Sequence, residues 1–206
     1  MADGISFHVY EGMDSAFAGQ ARTIEPIVAE RRAVFEKWEK AASGFHYAPK
    51  KEYWHTEGNF DFIGALSSER RAAWRVQFFT RAFAAGVRKV CVMDASEAER
   101  IAVRTYVKAL PWPFPMNRAD ALATVKQGQA VVFKHEDASP NGGRVWIIWA
   151  IAGGDDAIVE IPVRKESVAV WGVDGSEKLV KCANGRLSLR LQGDPKMSPP
   201  SIIVDR

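Results

Sequence analysis

Glu57 stands at the end of the run KEYWHTEGNF (Lys51 to Phe60), and it is the residue here whose setting most resembles a chemical group being presented. Tyr53, Trp54, His55 and Thr56 favour extended chain, and Gly58-Asn59 ends it. The pattern describes a strand that carries a carboxylate to its own C-terminal end. In parallel sheets that end is where sites are built. A carboxylate so placed can attack an electrophilic carbon or move a proton, provided that a second polar group faces it. The local candidates for a second carboxyl are Glu11, which closes an earlier strand, and Asp94, which closes a later one. Each also has a plainer role, Glu11 in a loop and Asp94 before a helix start, where it favours the N-terminus electrostatically.

Other chemistries find less support. His8 and His55 have no third ligand at metal spacing, so they read as structural histidines, and no metal or other cofactor is expected. No Gly-x-Ser-x-Gly elbow occurs, and no serine triad can be assembled. Gly153-Gly154-Asp155-Asp156 reads as a hairpin turn, because no helix follows it to make a phosphate loop. Cys91 and Cys182 sit in separate alternating apolar runs and read as buried thiols, neither a disulfide nor a zinc pair. Trp146, Trp149 and Trp171 could offer sugar-stacking faces, but in alternating strands most tryptophans face the core.

The elements that must position Glu57 are legible in order. Ile5 to Tyr10 is a strand closed by Glu11-Gly12. From Ile24 to about Ala42 the apolar residues Ile24, Ile27, Val28, Val34, Phe35 and Trp38 keep helical spacing, with Thr23 as N-cap. After the Glu57 strand, Ser67 caps a helix to Ala85 that presents Ala72, Val76, Phe79 and Phe83 and stops at Gly86. Val87 to Met93 is a third strand, and Ser96 to Glu99 has capping-box form ahead of a helix stopped by Pro111. Three strand–helix units in succession imply parallel strands with right-handed crossovers.

At Pro111 the texture changes. PWPFPMN holds three prolines in seven residues, a stiff connector, and helical periodicity ends there. Short β-type runs follow at 130–134, 145–152, 157–163, 168–173, 179–182, 187–191 and 202–204, separated by Gly-, Asn- and Asp-rich turns. They suggest an antiparallel sandwich. The expected organisation is a β/α domain over 1–115 and a β-sandwich domain over 116–206.

Composition bounds the partners. With 28 basic and 25 acidic residues the net charge is only +3, and no block of like charge suits nucleic acid despite a pI near 8.9. A hydrophobic fraction of 47% fits a globular core, while no apolar run reaches the ~20 residues of a membrane span. The first residues, MADGISFHVY, lack a charged leader and apolar segment, so a soluble, cytoplasmic product is expected.

Taken together, this order of segments resembles the C-terminal part of a clan A retaining glycoside hydrolase, of the β-xylosidase and α-L-iduronidase-like kind. In that family a (β/α)8 barrel is followed by a β-sandwich. ISFHVY resembles the sixth barrel strand, with its His-x-Tyr ending; EYWHTEGN resembles the seventh, whose Thr-Glu carries the nucleophile; RKVCVMDA resembles the eighth. The resemblance covers nearly the whole chain. It implies an α/β plus all-β fold, a partial barrel of three β/α units and a sandwich. The implied activity is that of a retaining, exo-type glycosidase on small β-linked glycosides, or of a truncated domain of one.

On that resemblance Glu57 is the nucleophile, and Tyr10 lies near it as a hydrogen-bond donor that keeps it ionised. His8, His55 and Asn59 join Tyr10 as substrate-binding residues, with Glu11 or Asp94 as the second catalytic carboxyl. The family's acid/base is an Asn-Glu ending the fourth strand, and no Asn-Glu occurs here. The chain is then either a piece of a longer enzyme or a reduced protein that completes its site differently. Three strands cannot close a barrel, so a homo-oligomer that covers the exposed strand edges is expected, with a carbohydrate as the other partner. The alternative is a non-catalytic carbohydrate-binding or assembly protein that keeps the fold remnant.

Overall fold

A computed structural model describes residues 4–11, 28–30, 32–34, 36–37, 52–60, 66–92, 95–110, 116–136, 143–151 and 155–206. For the first two strands it defines the backbone path and pairing.

The first half builds a parallel sheet. Strands β1 (Gly4–Glu11), β2 (Glu52–Phe60) and β3 (Lys89–Val92) form a three-stranded sheet in sequence order, with β2 central and both pairings parallel. Residues 28–30, 32–34 and 36–37 are helical, within the span where apolar spacing predicts a helix; the proposed cap Thr23 and the end near Ala42 lie outside the described residues. Helix α1 (Ser68–Ala84) joins β2 to β3 and α2 (Glu97–Ala109) follows β3. Both start where the capping chemistry puts them. The Ser67 hydroxyl accepts from Arg70 N, and Ser96 with Glu99 forms a reciprocal capping box. Gly86 ends α1 at φ +88°, a left-handed value that favours glycine.

The second half is antiparallel. Strands β4 (Asn117–Arg118), β6 (Ala130–Glu136), β7 (Arg144–Ala150), β9 (Ser167–Gly172), β10 (Glu177–Lys181) and β12 (Ser201–Asp205) form a six-stranded sheet in the order β10-β9-β12-β7-β6-β4. Strands β5 (Thr124–Gln127), β8 (Ala157–Pro162) and β11 (Arg186–Leu191) form a separate three-stranded sheet with β8 in the centre. The chain is thus an α/β layer joined to antiparallel β layers.

Strand β7 shows how the layers share a core. Its burial is continuous, which period-2 alternation converts into two apolar faces. Val145, Ile147 and Trp149 pack with Phe133, Ile202 and the two helices. Trp146, Ile148 and Ala150 pack with Val159 and Ile161 of the smaller sheet and with Leu187. One apolar cluster therefore runs across residue 115, from Trp74 and Tyr106 to Trp149. Full burial of an aliphatic side chain such as Ile147 contributes about 1.5–3 kcal/mol.

Several readings change. Gly153 and Gly154, read as part of a hairpin turn, lie outside the described residues; the strands on either side, β7 and β8, belong to different sheets. Cys91 is exposed and Cys182 half-buried. β3 is only four residues long and lies at the edge of its sheet, which explains the first. Helix α1 is buried all round from Ala72 to Ala82, not along one stripe, because it lies between α2 and the six-stranded sheet. Trp146 and Trp149 are fully buried, as alternation suggests, and so cannot stack on a sugar. Among the described residues no helix is long and apolar enough to cross a membrane.

Candidate functional site

Glu57 lies on the central strand of the parallel sheet, close to its C-terminal end. The backbone there is irregular on both sides. Against β1, Phe7 pairs with His55 but His8 pairs with Glu57, so Thr56 is an extra residue. Against β3, the three steps from His55 to Gly58 oppose only two, from Val90 to Val92. One inserted residue in β2 thus satisfies both ladders. Such a bulge bends the strand and re-aims the residues beyond it, and bulges are over-represented next to active sites.

Beyond the bulge the register is regular. His8 pairs with Glu57, Val9 with Gly58, Tyr10 with Asn59 and Glu11 with Phe60. Four of the sequence-derived candidates, His8, Tyr10, Glu57 and Asn59, therefore occupy two cross-strand pairs of the same pleat parity. His55 precedes the bulge, paired with Phe7. Glu11 has the opposite parity, about 10 Å further along the strand direction than the His8–Glu57 pair. Asp94 lies outside the described residues.

The helices that flank this strand end are fixed by a buried charge cluster. Arg75 Nε and Nη2 donate to Glu99 Oε1 at 3.1 and 2.8 Å, with both side chains inaccessible to solvent. Glu99 Oε2 accepts from Ser96 N at 2.9 Å and lies 3.7 Å from Arg71 Nε. Burial pushes the Glu99 carboxyl up, but the hydrogen bonds from Ser96 and the charge and hydrogen bonds of Arg75 outweigh it and leave it below its usual range. Burial likewise lowers Arg75, partly offset by Glu99. An inaccessible pair cannot touch substrate. It ties the first turns of α1 to the N-cap of α2, two residues after Asp94, and so holds the loop side of the sheet. The capping role of Glu99 is visible in Ser-x-x-Glu. The ion pair has a fainter signal, a single arginine within the otherwise apolar stretch Ala72-Ala73-Trp74-Arg75-Val76.

Further pins join the helices to the antiparallel layers. Arg70 pairs with Asp194 at 3.0 Å, Gln77 Nε2 donates to Ser198 O at 2.7 Å, and Lys108 Nζ lies 4.9 Å from the Trp171 ring centroid. Among the described residues, no group of three or more His, Cys, Asp or Glu is placed to hold a metal ion.

No protein-family model matches the chain, and no curated protein sequence matches it. Solved structures do. One is N2152 from Neocallimastix frontalis, at 13% identity and a TM-score of 0.53, over all of this chain and 54% of that one. A glycoside hydrolase family 44 endoglucanase from Clostridium acetobutylium matches at 9% identity and a TM-score of 0.54, over 87% of this chain and 35% of that one. AbfB, a family 51 α-L-arabinofuranosidase from Bifidobacterium longum, matches at 7% identity and 0.55, over 99% and 53%. At such identities the likeness is one of fold, and the fold is glycosidase-like. The chain spans about a third to a half of the length of these proteins.

Proposed function

We propose that the chain forms the nucleophile-bearing part of a retaining, exo-type glycosidase acting on small β-linked glycosides. The observation that carries this reading is the placement of Glu57, at a bulge on the central parallel strand, in register with His8 and next to the Tyr10–Asn59 pair. The glycosidase-like fold of the whole chain supports it.

In this mechanism the Glu57 carboxylate attacks the anomeric carbon and the glycosidic bond breaks as the leaving oxygen takes a proton from a second carboxyl. Water then hydrolyses the glycosyl-enzyme, and the second carboxyl takes back the proton. Tyr10 donates to Glu57 and keeps it ionised, while His8, His55 and Asn59 bind the sugar hydroxyls. The two carboxyls of a retaining site stand roughly 5–5.5 Å apart. The second carboxyl is Glu11, three residues beyond His8 on β1, Asp94, or a carboxyl from another chain or segment. The outer strands of the parallel sheet, β1 and β3, are the edges against which such a segment would pair, and a second copy of this chain is the proposed occupant.

A mechanism-based 2-deoxy-2-fluoro glycoside tests the assignment. Peptide mapping is expected to locate the adduct on Glu57; adduct on another residue, or none at all with a panel of aryl glycosides, overturns it.

A further inference from the structure

Strand β10 ends the six-stranded sheet, paired with β9 on one side and with no other described strand. Leu179, at its centre, is 77% exposed. The surrounding chain, in β9, the turn at 173–176 and α2, is all described. A free edge of this kind is a template for pairing, and charged side chains commonly guard it. Here the charges are Glu177, Lys178 and Lys181, and their order selects one partner.

The hydrogen bonds of the β9–β10 hairpin show which backbone groups are free. Gly172 N donates to Ser176 O at 2.9 Å, and Cys182 N donates to Glu166 O at 2.7 Å. These two hydrogen-bonded pairs close the ladder at either end, in the same register as the pairs between them. Antiparallel pairs alternate between hydrogen-bonded and non-hydrogen-bonded. Val170–Lys178 and Val168–Val180 are therefore hydrogen-bonded, whereas Trp171–Glu177, Ala169–Leu179 and Ser167–Lys181 are not. Glu177, Leu179 and Lys181 thus turn their N–H and C=O groups outward, to the free edge. Their side chains share one face of the sheet, that of Ala169 and Trp171.

The strand EKLVK is complementary to its own reverse. In an antiparallel pair of copies centred on Leu179, that leucine meets its counterpart, and Glu177 meets the second copy's Lys181 on either side. All three pairs are made by residues whose backbone groups face outward, so each exchanges two backbone hydrogen bonds. Glu177 and Lys181 are exposed, and neither has a side-chain hydrogen bond or ion pair to another described residue. Of the slipped registers, one sets Lys178 against Lys181 and another sets Lys178 against its own counterpart, like charges that disfavour both.

We propose that β10 is an isologous interface, through which two copies of this chain pair antiparallel about a two-fold axis at Leu179 and join their six-stranded sheets. One short strand pair buries little area, which makes this a weak, transient dimer. The contact is separate from β1 and β3, the edges of the parallel sheet, and is tested separately from them.

Sedimentation of the full chain over a concentration series tests this, with a monomer–dimer equilibrium expected. Leu179→Pro should abolish the dimer yet cost no bond within the chain, because that N–H faces outward. Lys181→Glu sets like charges opposite each other twice and should weaken dimerisation about tenfold. Combining Glu177→Lys with Lys181→Glu exchanges the signs of both pairs and should return the affinity to within about twofold of the parent. The proposal fails if the chain stays monomeric up to about 1 mM. It also fails if Leu179→Pro leaves the dimerisation constant unchanged, or if the double variant is as weak as Lys181→Glu alone.

Discussion

The two apolar clusters of this molecule are built on different terms. The cluster between the two antiparallel sheets is made of Val, Ile, Leu, Ala and Trp146, alternating along strands whose outer residues face water or the helices. The cluster beneath the helices is also apolar but encloses charge: Arg75 and Glu99 are wholly buried in it, with Gln77 and Thr80 beside them. Strand alternation fixes the orientation of a sheet, because a slip of one residue reverses its faces. A helix buried all round has no such register, and α1 is buried all round. Directional bonds from Arg75 to Glu99, from Gln77 to Ser198 and from Arg70 to Asp194 specify its rotation and depth instead. The charged cluster is also the one that borders the end of the parallel sheet carrying Glu57.

The largest test of this contrast separates the two kinds of cluster. Arg75→Met strips the buried Glu99 carboxylate of its bidentate cation, leaving only the more distant Arg71, and is expected to cost about 3–5 kcal/mol in denaturant unfolding, whereas Arg75→Met with Glu99→Leu should recover most of that loss. An additive double variant would contradict the pairing. Ile148→Ala, in the apolar cluster, should cost about 2–5 kcal/mol, and no second substitution of a single neighbour should restore it. Next comes acid sensitivity. The Glu99 carboxyl is held below its unfolded-state value, so its contribution is complete above that value, about 4.3, and fades as pH falls through the lower folded value. Glu99→Gln should therefore flatten the acid limb of the stability–pH curve; an unchanged slope would contradict this. Ser96→Ala removes half of the capping box and should cost about 1 kcal/mol. Smallest is Leu179→Lys, at a residue 77% exposed on edge strand β10, expected to change stability by under about 0.5 kcal/mol in denaturant unfolding.

What was legible in the sequence was what local chemistry encodes. Ser67, the Ser96–Glu99 box and Gly86 mark helix ends through bonds within four residues, and seven of the β-type runs recur as strands because alternation is local too. Strands β4 and β5 escaped it because their residues are exposed and carry no apolar alternation. Sheet membership was also hidden: that β7 and β8 belong to different sheets is decided by packing far along the chain. Arg32, Arg81 and Arg118 line one cavity yet come from three separate segments, and nothing in their spacing announces that they meet. Of the candidate site, the order His-x-Tyr then Thr-Glu gave the strands, and pairing supplied what sequence could not, the His8–Glu57 register and the bulge beside it.

The central claim is that Glu57 is a nucleophile. Its most direct test is Glu57→Ala assayed on an aryl β-glycoside with and without azide. Turnover should fall by about 10³-fold or more, and azide should restore it with a glycosyl azide of inverted anomeric configuration as product. Turnover that survives the substitution would contradict the account, as would a loss that azide leaves untouched.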